Sequence, residues 1–190
     1  MKKHLITAFL MTIATTILLG VIYPLVITGL ARVFFPDKAN GQIVYRNGQA
    51  VGSRLIAQQF TSAKYFHPRP SAAGNGYDAT NSGGTNLGPT NQKLIDRVRA
   101  DAATLRQENP NQPVPVDLIT TSASGLDPDI SPAAAEFQIP RVARERGLPE
   151  SAVRDLVQKH TYPRDLGLLG EPRVNVLELN LALDNLAPKQ

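Results

Sequence analysis

The stretch that decides the architecture runs from Leu5 to Ala31, "LITAFLMTIATTILLGVIYPLVITGLA", without one charged residue. As a helix at about 1.5 Å per residue it would reach roughly 40 Å, more than the hydrocarbon core of a bilayer, about 30 Å. Its threonines suit a span, because in a helix their hydroxyls can return a hydrogen bond to the carbonyl one turn back and leave no polar group bare to lipid. Pro24 is expected to kink or bend the helix without ending it. A signal peptide has a shorter apolar region, about 7–15 residues, closed by a small-x-small cleavage site. Here the run leads into "RVFFPDK" with no Ala-x-Ala. A buried core helix of this length would need a far larger protein around it. The run therefore reads as one uncleaved membrane helix, in which Gly20, Pro24, Gly29 and the small threonines are candidates for close helix packing.

Working outward, Lys2, Lys3 and the amino terminus precede the span, whereas Arg32, Asp37 and Lys38 follow it. The positive excess lies N-terminal, which predicts an N-terminus in the cytoplasm and a C-terminal domain outside it. Residues 1–4 are then cytoplasmic, 5–35 form the span and its flank, and 36–190 form an extracytoplasmic domain. Without Lys2, Lys3 and Arg32 there remain 17 basic residues against all 16 acidic ones, a net of +1. No electrostatic footprint for nucleic acid is left. The 190-residue chain has no cysteine, which excludes disulfides and thiolate metal sites and leaves the domain to its core for stability.

Within that domain, "QIVYRNGQAVGS" (Gln42–Ser53) reads as two strands around Asn47-Gly48, a dipeptide suited to the positive φ angles of a tight hairpin. "RLIAQQF" continues the chain in extended form. Next comes "YFHPRPSAAGNGYDATNSGGTNLGPT" (Tyr65–Thr90), with five glycines, three prolines and only Leu87 among branched aliphatics. It can form neither a strand nor a helix of ordinary length, and loops this long inside a compact domain are uncommon. A linker would be bland, yet this segment carries Tyr65, Phe66 and Tyr77 as apolar anchors and Arg69 and Asp78 as charged partners, so it reads as an ordered loop packed on its own domain.

After the loop, Leu94, Ile95, Val98, Ala102 and Leu105 share one side of a helix capped by Thr90 or Asn91, which should stop at Asn109-Pro110. Val116–Thr121 is rich in branched residues and reads as a strand, followed by "GLDPDISP" as a turn. Ser131-Pro132 is a good helix start; that helix should bend or break near Pro140 and end at Gly147. A second helix, "LPESAVRDLVQKHT", points Val153, Leu156 and Val157 inward. "PRDLGLLGEPR" is another loop, and "VNVLELNLALDNL" a strand passing into a short helix. The fold class is α+β: one N-terminal transmembrane helix followed by a small mixed α/β extracytoplasmic domain.

Most catalytic templates fail here. The three histidines, His4, His67 and His160, include one at the membrane flank, and no pair has metal-ligand spacing. There is no phosphate-loop motif and no Gly-x-Ser-x-Gly elbow. Asp127 and Asp129 have the chemistry of hard-cation ligands, but beside two prolines they more often make turn and cap bonds. His67 reads as a packed loop residue rather than a base. Gln138 has the chemistry to hydrogen-bond a ligand or to face solvent, and by itself reads as the latter. The "SGGT" of Ser82–Thr85 has the composition of a backbone nest for an anion.

Taken together, "YFHPRPSAAGNGYDATNSGGTNLGPTN", "VPVDLITTSASGLDPDISPAAAEFQIPRVARERG" and "LGEPRVNVLELNLALDNL" resemble the KdpC family, the C subunit of the Kdp potassium-transporting ATPase complex. Length, single span and motif order agree over nearly the whole chain. The resemblance implies a bacterial inner (plasma) membrane complex in which a potassium-channel-like subunit and a P-type ATPase subunit are the partners, and in which this chain is a non-catalytic accessory subunit. It also implies a role as a catalytic chaperone that raises ATP binding by the ATPase subunit, centred on a glutamine that matches Gln138. ATP enters by that route alone; no tightly bound cofactor and no metal are expected. Because flanking charge places Gln138 outside and ATP is cytoplasmic, assembly and gating at the outer mouth fit the expected topology better than nucleotide contact. Arg69, Ser71, Asp78, Ser82 and Asn86 are the candidates for ordering the long loop or touching the partner. The rival from another class is a membrane-tethered periplasmic enzyme acting alone, with Ser82 or the Asp127/Asp129 pair in its site.

Overall fold

The computed structural model describes residues 1–186; residues 187–190 of the expected 36–190 domain lie outside the described residues. Two compact units are present, the first Met1–Val51 and the second beginning at Gly52.

The first unit is dominated by a continuous helix, Lys2–Phe34, of 33 residues and mean hydropathy 2.4, long and apolar enough to cross a membrane. It consists of α1 (Lys2–Thr15), a π-helical stretch (Thr16–Ile22) and α2 (Tyr23–Phe34). The hydroxyls of Thr7, Thr12 and Thr15 donate to the carbonyls of Lys3, Ala8 and Met11 at 2.9, 2.9 and 2.8 Å. These three threonines are thereby neutralised within their own helix, as the sequence predicts. Pro24 does not end the helix. It lacks an N–H and its ring crowds the carbonyl of Gly20, and the wider register of the preceding π turn accommodates both. A short helix α3 (Pro36–Ala39) follows. The expected hairpin is present as β1 (Ile43–Arg46) and β2 (Gln49–Ser53), with Asn47 at φ 53° and Gly48 at φ 78° in the turn.

The second unit is built around α5 (Pro132–Arg146), which carries eight buried residues, Ala134, Ala135, Phe137, Gln138, Ile139, Arg141, Val142 and Ala143. Burial on several sides makes α5 a central helix rather than an amphipathic surface one. Against it lie α6 (Glu150–Lys159) and α7 (Val176–Leu186), with Val153, Leu156, Val157, Leu179 and Leu183 facing the shared core. A small antiparallel sheet has the order β3 (Asp129–Ile130), β5 (Arg173–Asn175), β4 (Thr161–Tyr162). Val174 sits centrally in it, paired with Ile130 on one side and Thr161 on the other. As expected, α7 continues directly from a strand.

Ser131 caps α5 by accepting from Ala134 N at 3.0 Å, and Gly147 ends the helix at φ 64°. Pro140 lies inside α5 without breaking it: the burial of Phe137, Ile139 and Val142 around it outweighs the one lost helical hydrogen bond. The helix after the loop, α4 (Gln92–Glu108), starts at Asn91, whose side chain accepts from Lys93 N at 2.9 Å, and stops at Asn109. Its apolar side is only partly covered, Ala102 being its one buried residue.

The expected strand at Val116–Thr121 is not formed. Val116–Leu118 is a 3-10 turn, in which the Thr120 hydroxyl donates to Val116 O at 2.7 Å and Asp117 accepts from Ser131 N at 2.8 Å. A local bond from Thr120 and a longer-range one between Asp117 and Ser131 override the β preference of the branched residues. The expected turn "GLDPDISP" contains β3, and "HTY" supplies β4; two-residue strands carry too little pattern to be read from sequence. Residues 54–91 contain neither helix nor strand, and "RLIAQQF", expected to be extended, opens in a turn.

Candidate functional site

The polar residues of the core converge on the long loop. A stretched backbone entering a core must find partners for its N–H and C=O groups, and here side-chain amides supply them. Asn180 of α7, 1% exposed, accepts from Phe66 N at 2.8 Å and donates to Phe66 O at 2.9 Å. Gln138 of α5, 2% exposed, does the same for the next residue, accepting from His67 N at 2.8 Å and donating to His67 O at 3.1 Å. Each amide has one donor side and one acceptor side, so the pair replaces the neighbouring strand that this segment lacks. Between them the Phe66 ring is wholly buried in the core.

Arg141, one turn after Gln138, completes the clamp. Its guanidinium donates to Ala63 O at 2.6 Å, Tyr65 O at 2.9 Å and Gln138 Oε1 at 2.6 Å, and pairs with Glu108 of α4 at 2.8 Å. Arg141 is buried, so Glu108 is the counter-charge that makes its position tenable. Burial, and secondarily the Arg141 charge, lower the pKa of His67, which keeps the ring neutral. Its Nε2–H then donates to Ser62 O at 3.1 Å. An open cleft of about 330 Å³ lies over this cluster, lined among others by Phe60, His67, Tyr77, Glu108, Gln138 and Arg141.

The second half of the loop is laced to residues 120–127. Arg69 pairs with Asp127 at 2.9 Å and reaches Thr121 O at 3.4 Å. Ser71 Oγ donates to Gly125 O at 2.6 Å while accepting from Ala73 N and Tyr77 N. The Tyr77 hydroxyl, its pKa raised by burial, donates to Arg69 O at 2.8 Å. Ser82 Oγ and Gly83 N both donate to Ser124 O, at 3.0 and 2.9 Å. Gly125 is required here: at φ +67° a Cβ would stand 2.6 Å from Gly83 O and 2.7 Å from Ala73 N.

Of the sequence-selected residues, Arg69, Ser71 and Ser82 thus meet on one segment. Asp78 is not the partner of Arg69; it faces solvent and accepts from Thr80 N and Oγ1 at 2.9 and 2.7 Å, bonds that lower its pKa. Asn86 is exposed, with φ 53°. Gln138 does not face solvent. The "SGGT" segment offers no nest, since the Gly83 amide is engaged by a carbonyl. Gly20 lies in the π stretch, and Gly29 has open space about its Cα in α2. Asp127 and Asp129 each hold protein partners, Arg69 for the first and Asn175 and Arg173 for the second. Burial, chiefly, raises the Asp129 pKa. Among the described residues no cluster of three His, Asp or Glu could hold a metal.

Sequence reasoning missed Asn180, Arg141 and Glu108. Asn180 had a signal, an amide on the apolar face of "VLELNLAL", but the residue it would meet was invisible.

A helix able to span a membrane, followed by an α+β domain whose buried polar groups order a long loop, defines the class as a single-span membrane protein. More particularly, the chain belongs to the KdpC family: the family model described as "KdpC: K+-transporting ATPase, c chain" matches residues 5–185. The potassium-transporting ATPase KdpC subunit of Koribacter versatilis is 68% identical over 188 residues, covering 99% of this chain and 97% of that one. The KdpC subunits of Acidobacterium capsulatum (58% identical; 97% of this chain, 99% of that one) and Methylobacterium nodulans (56%; all of both) are also similar.

Proposed function

We propose that this chain is an accessory, non-catalytic subunit of a potassium-transporting P-type ATPase, anchored by the Lys2–Phe34 helix with the domain from residue 36 onward outside the cytoplasm. The carrying observation is that Gln138 and Asn180, the two most buried polar residues among those described, and the buried Arg141 are all engaged in holding residues 63–67. Such an arrangement presents a shaped surface to other subunits of the complex, a channel-like one and the ATPase one. The polar groups that line the cleft over this cluster have protein partners, Gln138 and Arg141 on the loop backbone, Glu108 on Arg141 and His67 on Ser62 O, which supports a positioning role rather than a reaction centre.

On this reading Gln138 influences ATP affinity through the loop it holds rather than by touching nucleotide. Its amide oxygen serves His67 N and Arg141, and its amide nitrogen serves His67 O and Ala134 O. The excess of Lys2 and Lys3 over the far flank supports the N-in orientation.

The test is a pair of measurements on the full chain in its native membrane. A topology reporter fused after Gln190 should be active only in its extracytoplasmic form, and mild-detergent extraction should recover the chain with large membrane partners. A reporter active only in the cytoplasm overturns the orientation. A partner-free monomer overturns the accessory role.

A further inference from the structure

The chain between β4 and β5, "PRDLGLLGEP" (163–172), places three leucines in solvent: Leu166 is 91% exposed, Leu168 81% and Leu169 61%. They do not sit on a loose loop. Asp165 and Leu169 exchange both backbone hydrogen bonds at 2.9 Å, Gly167 N donates to Arg164 O at 3.0 Å, and Leu168 N donates to Asp165 O at 3.2 Å. Leu166 is held at φ 55° between these bonds, with Gly167 at φ 75° and Gly170 at φ 74°. A leucine in the left-handed region is strained, and the strain is tolerated at a position where the side chain buries nothing. At the base, Arg164 grips both Glu171 oxygens at 2.9 and 2.7 Å, and Arg173 bridges Asp129 and Asp165 at 3.2 and 3.7 Å.

We infer that this leucine knuckle is a docking element that inserts into an apolar socket on another protein subunit of the same ATPase, an inference that rests on the accessory-subunit reading above. Three occupants are conceivable for exposed leucines: lipid, a second copy of this chain, and a different subunit. Rigidity argues for a socket with shape, because a preformed turn reduces the ordering cost of fitting a complementary surface and gains nothing against fluid lipid. Charge argues the same way. The knuckle's ionic groups, Arg164, Asp165, Glu171 and Arg173, are paired at its base and leave none of the positive excess that an anionic lipid surface attracts. A different subunit is favoured over a second copy because the family is that of one chain of a multi-chain ATPase.

The experiment places a photo-reactive benzoyl-phenylalanine at Leu168 in the assembled complex in native membranes. In parallel, the complex is purified with the Leu166→Ser, Leu168→Ser, Leu169→Ser triple variant. We expect a cross-link to a larger polypeptide of the ATPase, and recovery of the triple variant with its partners falling about tenfold under stringent washing, as for a lost interface anchor. The thermal midpoint of the triple variant alone should be unchanged. Cross-linking only to lipid, or only to a second copy of this chain, overturns the inference even if the chain still co-purifies with its partners. So does unchanged recovery of the triple variant. Failure of the wild-type chain to co-purify at all would instead overturn the accessory-subunit reading.

Discussion

Two loops of the second unit make opposite use of the same materials. Residues 54–91 and 163–172 both leave regular structure, and both place glycines and non-glycine residues at positive φ. The first turns its anchors inward: Phe66 joins the core, and buried Gln138, Asn180 and Arg141 bond its backbone. The second is closed by its own short-range bonds and surface ion pairs and leaves its leucines outside. The contrast teaches that loop composition reports the freedom to turn, whereas the buried partner decides whether a loop supports the fold or is offered to something else.

That contrast can be broken most severely at Phe66. Phe66→Ala should cost about 3–5 kcal/mol, as for other large-to-small core changes, read by denaturant unfolding of the detergent-solubilised chain. A cost near zero would show that the loop does not share the core. Gln138→Leu comes next, at about 1–3 kcal/mol, because it leaves both backbone polar groups of the half-buried His67 without their partner. Protease cleavage confined to residues 60–70 should accompany that loss; an uncleaved, equally stable variant would refute the clamp.

A smaller effect is expected from pH. The folded-state pKa of His67 lies below its ordinary value of 6.5 through burial and the Arg141 charge. The unfolded chain therefore binds a proton in a window where the folded one does not. The associated stability is fully present above 6.5, declines as pH falls below it, and levels off beneath the folded pKa. The melting temperature of His67→Gln should fall less than that of the wild type across that window, and parallel profiles would discard the assignment. Smallest of all, Leu168→Ser should shift stability by no more than about 0.5 kcal/mol, since the side chain is in solvent; a larger loss would mean the knuckle belongs to the fold.

Legibility followed the range of the interactions. Asn91, Ser131 and Gly147 were readable as helix ends because a cap bonds within three or four residues. The threonines of α1 were readable for the same reason. Val116–Thr121 was misread because propensity weighs side-chain shape and could not see the Asp117 carboxylate reaching Ser131, 14 residues away. The mate of Arg69 was not legible: Asp127 lies 58 residues further on, while Asp78 is close in sequence and bonds within its own turn. Gln138 looked ordinary because nothing in its helix says that a loop 71 residues earlier passes over it.

What the sequence determined by itself is the apolar helix, the hairpin turn, the caps and the α+β class, together with the family through its long unusual blocks. These rest on contacts within a turn or two, or on uninterrupted runs, and each is written in contiguous residues. Only the tertiary structure decided that two amides, from α5 and α7, substitute for a missing strand along Phe66 and His67, across separations of 71 and 114 residues. Those bonds exist because burial removes water as the competing partner, and which residues are buried together is fixed by the packed core as a whole.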